Sequence, residues 1–473
     1  MDKRILILVL FTILFGCDVR FAGYSEDING SDAYTDIGYI DTGIYDTIQC
    51  EQYKCENLIY GRDDVYVDKE SGNIYMVEFG SKVGSKVSSK DLKFFKYDKN
   101  GQLIWEKKVG EVIVDDCSGR LWMVDREESF YITKYVQECL PKSNCRCVDP
   151  EEIVKFSKEG EEYKIPFTIG SLNADITSIA TDDDGNIYFA GEYKRVVNFG
   201  NGIVLDNSEE CRNTGNPNNP VECFTDVFVA KFNREGKALW AKGFDDDYGG
   251  SNVILNNGFV YIDVIGYMER EVDGKKIYCN PLEIIKLDSD GNYKWSRYLV
   301  CGDDISSSNF TIDKDGSIYL YGLFDLYPDY KDSDKYKNLN IAKFDNNGEF
   351  KWGRKVIGRE GVDDIVLISI SIADKVIYIS GYPEYSSSYF FLSKIAKNGD
   401  LIWYKLYDDD KIDTVKVKLS ISDDEFFYAI IPIYGNTKEI DNCSTKSFPA
   451  DSNKKYLLRF VAEPCDNIEV KIK

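Results

Sequence analysis

Short apolar runs separated by polar turns recur along the chain. The clearest run is Ile187 to Gly191, which follows the turn Asp182-Asp183-Asp184-Gly185-Asn186. A second run, Val227 to Phe232, leads through Gly236 to Trp240. Runs rich in Val, Ile, Phe and Tyr that meet at Asp-Gly or Asn-Gly turns are typical of β-hairpins. Together the two phrases predict one four-stranded antiparallel unit.

Seven copies of the first phrase can be aligned, and the second phrase follows each of them. The central aromatic residues of the first phrase are Tyr75, Trp122, Tyr188, Tyr261, Tyr319, Tyr378 and Tyr428. Five copies of the second phrase place Trp four residues after Gly, at Trp105, Trp240, Trp295, Trp352 and Trp403. The apolar residues are consecutive, so both faces of these strands must be covered. The sequence therefore predicts an all-β fold, a seven-bladed β-propeller of four-stranded antiparallel blades in which each Trp packs on a neighbouring blade.

These units resemble the repeats of the bacterial β-propeller repeat family. The resemblance rests on the stretch from Asp226 to Trp240 and on the turn Asp184 to Tyr188, and it covers about residues 58–473. It implies the propeller scaffold. It implies little about activity, because such a family is defined by its scaffold and not by a catalytic site.

The N-terminus has the features of an export signal. An apolar run from Ile5 to Phe15 follows Lys3 and Arg4 and is too short to span a bilayer, so residues 1–16 are predicted to be a signal peptide. The stretch Leu14 to Cys17 resembles the lipobox of bacterial lipoproteins. We therefore expect Cys17 to carry lipid and to become the mature N-terminus. Ordinary signal cleavage beside an incidental cysteine is the alternative.

Within residues 17–57, the stretch from Asp18 to Thr47 is rich in Asp, Gly, Ser and Thr, a composition that buries too little apolar surface to offset its ordering entropy. We expect a flexible acidic tether here and the propeller over residues 58–473. An extra edge strand on the propeller is the alternative for the tether. The expected location is the bacterial cell envelope, facing the periplasm or the cell surface, with the lipid anchor as the only contact with the membrane.

Cysteine usage agrees with export. Of the 13 cysteines, those other than Cys17 form an even number, which favours disulfides in an exported chain. The candidate pairs are Cys211 with Cys223, Cys279 with Cys301, and Cys50 with Cys55. The other six, Cys117, Cys139, Cys145, Cys147, Cys443 and Cys465, cannot be assigned from the sequence. Zinc binding is disfavoured, because the Cys145/Cys147 spacing is wrong for a zinc knuckle and the chain has no histidine.

Charge and composition exclude several functions. A formal net charge of -23 disfavours nucleic acid and anionic membrane surfaces as partners. The absence of histidine removes the Ser-His-Asp triad, the Cys-His pair and the HExxH zinc helix. We therefore expect a binding or scaffold module that recognises a protein or glycan, preferably a basic one, through loops on one face. A carboxylate-dependent glycan-acting enzyme is the alternative.

A second periodicity is acidic. Just before the first strand of nearly every unit stands an aspartate, and Glu111 takes this place in blade two; the aspartates are Asp64, Asp175, Asp247, Asp304, Asp364 and Asp413. Their connections meet on one face of a propeller, so these residues are expected to form an acidic ring near the channel mouth. Such a ring could attract a basic partner or calcium, the one candidate cofactor. The alternative is structural, with each Asp accepting backbone N–H bonds that lock neighbouring blades.

Three Asp-Gly turns invite a separate calcium interpretation, because their spacing partly matches an EF-hand loop. They begin at Asp182, Asp288 and Asp313, but the ligands required at both ends of the loop are missing. We interpret all three as hairpin turns.

Overall fold

A computed structural model of the chain describes residues 64–408 with short internal gaps. Outside that range it describes only the strands at 38–41, 55–61, 418–421, 427–433, 439–440, 443–444 and 454–460. Two strands precede the first blade, β1 (Gly38–Asp41) and β2 (Cys55–Gly61). The signal peptide, Cys17 and Cys50 lie outside the described residues.

Four-stranded antiparallel sheets follow one another along the chain, as the sequence predicts for a propeller. Blade one consists of β3 (Asp64–Val67), β4 (Ile74–Phe79), β5 (Ser89–Tyr97) and β6 (Leu103–Ile113). Blade two consists of β7 (Trp122–Val124), β8 (Phe130–Cys139), β9 (Cys145–Phe156) and β10 (Glu162–Pro166). Blade three is built from β11 (Ala174–Thr181), β12 (Ile187–Tyr193), β17 (Asp226–Phe232) and β18 (Ala238–Phe244).

The long loop of blade three carries two hairpins of its own. They are β13 (Val196–Asn198) with β14 (Val204–Asp206), and β15 (Arg212–Asn216) with β16 (Asn219–Glu222). The first hairpin buries Val197 and Phe199, and the Phe199 ring lies 5.2 Å from that of Phe228. This loop is therefore packed on the blade instead of extending freely from it.

Blades four, five and six repeat the same unit. Blade four consists of β19 (Val253–Asn256), β20 (Phe259–Ile265), β22 (Lys275–Asp288) and β23 (Tyr293–Gly302), with β21 (Met268–Val272) paired to the long β22. Blade five consists of β24 (Asn309–Ile312), β25 (Ile318–Leu326), β26 (Leu339–Phe344) and β27 (Phe350–Ile357). Blade six consists of β28 (Ile365–Ile372), β29 (Val376–Pro383), β30 (Tyr389–Ala396) and β31 (Leu401–Asp408).

The two ends of the chain build blade seven together. Its inner strands are β32 (Lys418–Ile421), β33 (Phe427–Ile433) and β36 (Lys454–Phe460), and β34 (Glu439–Ile440) pairs with β35 (Cys443–Ser444) in the intervening loop. The outer strand is β2, antiparallel to β36. The seventh copy of the second phrase lacks the Gly and Trp that lead into a fourth strand, because the N-terminal part of the chain supplies the fourth strand of this blade.

Two further details differ from a simple repeat. In blade two Trp122 lies in the first strand, so the aromatic residue equivalent to Tyr188 is Tyr131 in β8, and the alignment through Trp122 was wrong. Within the segment expected to be a tether, β1 pairs in parallel with β27 of blade five. This pairing is the edge strand that the sequence left open as an alternative for these four residues.

The second and third strands of blade three are buried on both faces, as the consecutive apolar residues predict. Every residue of β17 is buried, and in β12 only Glu192 is partly exposed. The outer strand β18 differs, with Leu239 being 46% exposed. Both faces of the inner strands are covered because each blade packs between two neighbours, as the core shared by blades three and four shows.

The repeated Trp joins blades one, three and five to the blades that follow them. Trp240 Nε1 donates to the Ser289 carbonyl of blade four at 3.1 Å, and a Cβ on Gly291 would lie 2.9 Å from the indole ring. Trp105 and Trp352 make the same bond to Lys158 and Lys397 of their following blades, both at 3.0 Å. Because the glycine of this turn has no side chain, the indole ring of the preceding blade can pack directly on the turn backbone. The predicted packing of Trp on a neighbouring blade is confirmed for these residues.

Substitution of Trp240 should destabilise two blades at once. We expect Trp240→Ala to lower the free energy of unfolding by about 3 kcal/mol, because a large ring and a hydrogen bond are lost together. Trp240→Phe should lose about 1 kcal/mol, since it keeps ring packing and removes the N–H donor. Urea unfolding measures both changes. The control is Leu239→Ala on the exposed face of the same strand, and equal shifts for the control and Trp240→Ala would contradict the inter-blade role.

Candidate functional site

The antiparallel blades have two unlike faces. The tight turns between strands one and two, and between strands three and four, lie on one face, which we call the turn face. The loops between strands two and three and the connections between blades lie on the opposite face, the loop face. Because sequence and length vary far more on the loop face, it is the better candidate for recognition.

Carboxylates on the turn face are occupied by their own backbone. Asp182 Oδ1 accepts the Asn186 N–H at 2.9 Å, and Asp288 Oδ1 accepts the Asn292 N–H at 2.8 Å. Asp313 Oδ1 likewise accepts the Lys314 N–H at 2.7 Å. These bonds are those of Asp-initiated turns. The interpretation of these strings as hairpin turns is confirmed.

The predicted acidic ring falls only partly on described residues. Asp64 is the first residue of β3 and Asp175 the second residue of β11, so both stand where an inner strand leaves the loop face. Glu111 does not precede the first strand of blade two as predicted, because it lies within β6, the outer strand of blade one, opposite Asp91. The remaining four members, Asp247, Asp304, Asp364 and Asp413, lie outside the described residues.

Asp175 forms a carboxylate pair with Glu192. The two residues are directly opposite each other on β11 and β12. Asp175 is exposed as a residue, yet the protein crowded around its carboxyl raises its pKa, and the negative charge of Glu192 raises it further. A carboxylate that accepts backbone N–H bonds has its pKa lowered instead. The direction of this shift disfavours a blade-locking role for Asp175.

Local backbone geometry places this pair. The register between β11 and β12 shifts between Ile176 and Ser178, and Gly191 stands at the irregularity. A Cβ on Gly191 would lie 2.1 Å from the Asp175 carbonyl oxygen, so no other residue fits without moving the inner strand. The sequence phrase that ends in Gly191 therefore also sets where Asp175 stands.

A second acidic residue, Asp263, lies inside blade four. It is 2% exposed in β20 and accepts hydrogen bonds from the backbone N–H of Asn252 and, at 2.8 Å, from its side-chain amide. Burial raises the pKa of Asp263 to about 6, and the bonds from Asn252 oppose this shift. Asp263 thus holds the start of the inner strand β19. An acidic residue within the apolar run Val260 to Val264 was the sequence signal for it.

One of the three predicted disulfides lies within the described residues. Cys211 and Cys223 are bonded and close the β15–β16 hairpin, so this prediction is confirmed. Cys301 is buried in β23 opposite Pro281, two residues along β22 from Cys279. The Cys279 side chain lies outside the described part of the molecule, and so do Cys50 and the side chain of Cys55. These two pairings stay predictions.

Among the described residues, no group of three or more His, Cys, Asp or Glu side chains is arranged to hold a metal ion. Calcium binding by the predicted acidic ring stays a prediction, because four of the ring's members lie outside the described residues. Within the same residues, no helix has the length and apolar character needed to cross a membrane.

Sequence reasoning missed a groove on the outer edge of blade four. Its volume is about 350 Å³, and it is lined from blade four by Glu283, Ser296, Arg297 and Tyr298 and from blade five by Tyr327, Tyr330 and Glu349. We call it the rim groove. Two signals were available in the sequence, a glutamate within the apolar strand β22 and two tyrosines in the loop after β25.

Comparisons with known proteins concern the fold. No family model and no curated protein sequence matches the chain. Among solved structures, the β-propeller domain of the trilobed protease from Pyrococcus furiosus, which has an open velcro topology, is 12% identical with a TM-score of 0.43, over 79% of this chain and 91% of that one. The WD40 domain of Neurospora crassa Pan2 is 8% identical with a TM-score of 0.41, over 88% and 97%.

A protein of unknown function from Bacteroides caccae is 11% identical with a TM-score of 0.32, over 70% of this chain and 93% of that one. At these identities the likeness extends to the fold alone, and none of the three structures informs the site. The propeller assignment follows from the blades described above. The resemblance to the bacterial β-propeller repeat family stays a prediction.

Asp263 should make stability depend on pH. Its pKa in the folded protein is about 6 against an ordinary 3.8, so the folded state binds a proton more tightly than the unfolded state. The free energy of unfolding should therefore fall by about 2 kcal/mol from this group as pH rises from 4 to 7. The variant Asp263→Asn should lack this part of the pH dependence, because its side chain does not ionise. Urea unfolding at several pH values measures it, with Asp184→Asn on the turn face as control. An unchanged pH slope in Asp263→Asn would contradict the assignment.

Proposed function

We propose that the protein is a binding module whose loop face receives a cationic partner. The observation that carries this proposal is the pair formed by Asp175 and Glu192. Two carboxylates directly opposite each other repel, and a neighbouring cation relieves the repulsion. A lysine or arginine side chain of a partner protein supplies such a cation.

Two further features support this proposal. The net charge of -23 attracts a basic partner from a distance and speeds its association. The longest described insertion on the loop face, in blade three, is held by the Cys211–Cys223 disulfide and by the packing of Phe199. A surface that is already ordered loses less conformational entropy when a partner binds.

Neutralising the pair should weaken cation binding. We expect the double variant Asp175→Asn/Glu192→Gln to bind a lysine octapeptide about tenfold more weakly at low salt, since each exposed charge contributes up to about 1 kcal/mol. Its stability should be unchanged or higher, because a repulsion is removed. Calorimetric titration measures the affinity and urea unfolding the stability.

The matched control is Asp183→Asn/Asp184→Asn, which removes the same charge from the same blade on the turn face. Equal weakening in both double variants would show that only the overall charge attracts the peptide. A large stability loss in Asp175→Asn/Glu192→Gln would favour the blade-locking role. Either result rejects the loop-face proposal.

We also propose that the module is held at the bacterial cell envelope by lipid on Cys17. The support is the lipobox-like stretch from Leu14 to Cys17, which follows an apolar run of signal-peptide length. A single lipid chain binds membranes weakly, so stable anchoring requires more than one acyl chain on the modified cysteine. The polar residues after Cys17 would then connect the membrane to the propeller.

Anchoring is testable by fractionation. We expect Cys17→Ser to move the protein from the detergent-extracted membrane fraction to the soluble fraction, because the acylated thiol is lost. Metabolic labelling with a fatty-acid analogue should mark the wild type and spare Cys17→Ser. Cys50→Ser, downstream in the same segment, is the control and should stay anchored. An unlabelled wild-type protein would rule out the lipid anchor.

A further inference from the structure

The rim groove forms where blade five wraps the edge of blade four. After β25 the chain runs beside the outer strand β23, and the Tyr327 N–H donates to the Leu299 carbonyl at 3.1 Å. Val300 pairs with Leu326 in the same region. This contact joins the two blades into one continuous sheet and leaves the groove beside it. The groove lies at the outer edge of blade four, whereas the Asp175 pair lies on the first and second strands of blade three.

Tyrosines give the groove a rigid aromatic wall. Tyr298 is 41% exposed, and its ring stacks on the buried ring of Tyr327 with centroids 5.2 Å apart and planes at 28°. Tyr330 donates its hydroxyl to the Gly348 carbonyl at 2.6 Å and packs against Phe344. Because these rings are already held in place, a ligand that stacks on Tyr298 orders few side chains on binding.

Polar groups of both signs surround this wall. Glu283 lies directly opposite Tyr298 on the neighbouring strand, and burial raises its pKa. Arg297 lies against the backbone of Gly348 and donates one N–H to the Ser296 carbonyl at 2.9 Å. Glu349 completes the lining. The groove therefore offers hydrogen-bond donors and acceptors beside an exposed aromatic face.

We propose that the rim groove binds a neutral glycan segment. A pyranose ring has an apolar C–H face that stacks on an aromatic ring, and its hydroxyl groups both donate and accept hydrogen bonds. Tyr298 matches the face, and Arg297, Ser296 and Glu283 match the hydroxyls. Two carboxylates disfavour an anionic ligand, and the groups of both signs can pair with the donor and acceptor hydroxyls of a neutral one. The groove volume of about 350 Å³ is within the usual range of small-ligand sites.

The test uses the full chain and four neutral hexasaccharide probes. They are β-1,4-linked glucose, mannose and N-acetylglucosamine and α-1,4-linked glucose. We expect saturable binding of at least one probe in calorimetric titration. Tyr298→Ala should weaken it at least tenfold, because the stacking face is lost, and Glu283→Gln should weaken it severalfold, because a charged acceptor becomes neutral. Circular dichroism establishes that each variant is folded.

Two controls isolate the groove. Tyr163→Ala removes a tyrosine of similar exposure, 49%, from the outer strand of blade two and should leave affinity unchanged. Asp175→Asn/Glu192→Gln should also leave it unchanged, so this test fails or succeeds separately from the loop-face proposal.

Several results would overturn the inference. One is that none of the four probes binds, and another is that folded Tyr298→Ala binds a probe with wild-type affinity. A third is that the lysine octapeptide binds where no sugar does and that this binding is lost in Tyr298→Ala. Release of reducing sugar that disappears in Glu283→Gln would also overturn it, because the groove would then be a catalytic site.

Discussion

The structure depends on one cross-strand pair, a tyrosine on the second strand of a blade and a lysine on the third. Six blades place these residues directly opposite each other, and the lysine ammonium lies 4.8 to 5.5 Å from the tyrosine ring centroid. Blade seven has Arg459 opposite Tyr428. A buried ammonium is costly unless it is paired. In blade three Lys231 meets three groups, the Tyr188 ring, Asp182 at 3.4 Å and the Ser289 carbonyl at 3.1 Å.

The Ser289 carbonyl belongs to the following blade and also accepts the Trp240 N–H. In blades one, three and four the lysine ammonium donates to a carbonyl in the turn of the following blade. Desolvating the lysine therefore commits these blades to that turn, and in blade four the glycine of the turn, Gly291, leaves room for the indole ring of Trp240. This lock uses the turn-face residues for structure. The loop face is left to vary in length and charge, and the Asp175 pair lies there, away from the lock. The rim groove borders the lock between blades four and five, because Glu349 follows Gly348 in the blade-five turn and Tyr330 donates to the Gly348 carbonyl.

Polar residues in apolar strands have different roles in this fold. Asp263 turns inward and holds the start of an inner strand through Asn252. Glu283 stands near the outer edge, where the neighbouring blade's loop makes a groove around it. The same local signal, one acid in an apolar run, therefore leads to an internal brace at one position and a candidate ligand group at the other. What separates them is the distance of the residue from the propeller axis.

Several features are predictable from the sequence alone: the four-stranded unit, the propeller, the turn aspartates, the Trp contacts between blades and the Cys211–Cys223 bond. The strands, turns and disulfide depend on residues close together in the chain, whose turn chemistry and periodicity are local. The Trp contacts follow from repetition of the unit, because each of these Trp residues meets the equivalent turn of the next copy. Three features emerge only in the folded molecule: β2 completes blade seven, Tyr131 and not Trp122 is the blade-two equivalent of Tyr188, and a groove forms at the edge of blade four. Those features join strands and loops that are distant in sequence, and no local pattern specifies which distant segment will cover an open edge.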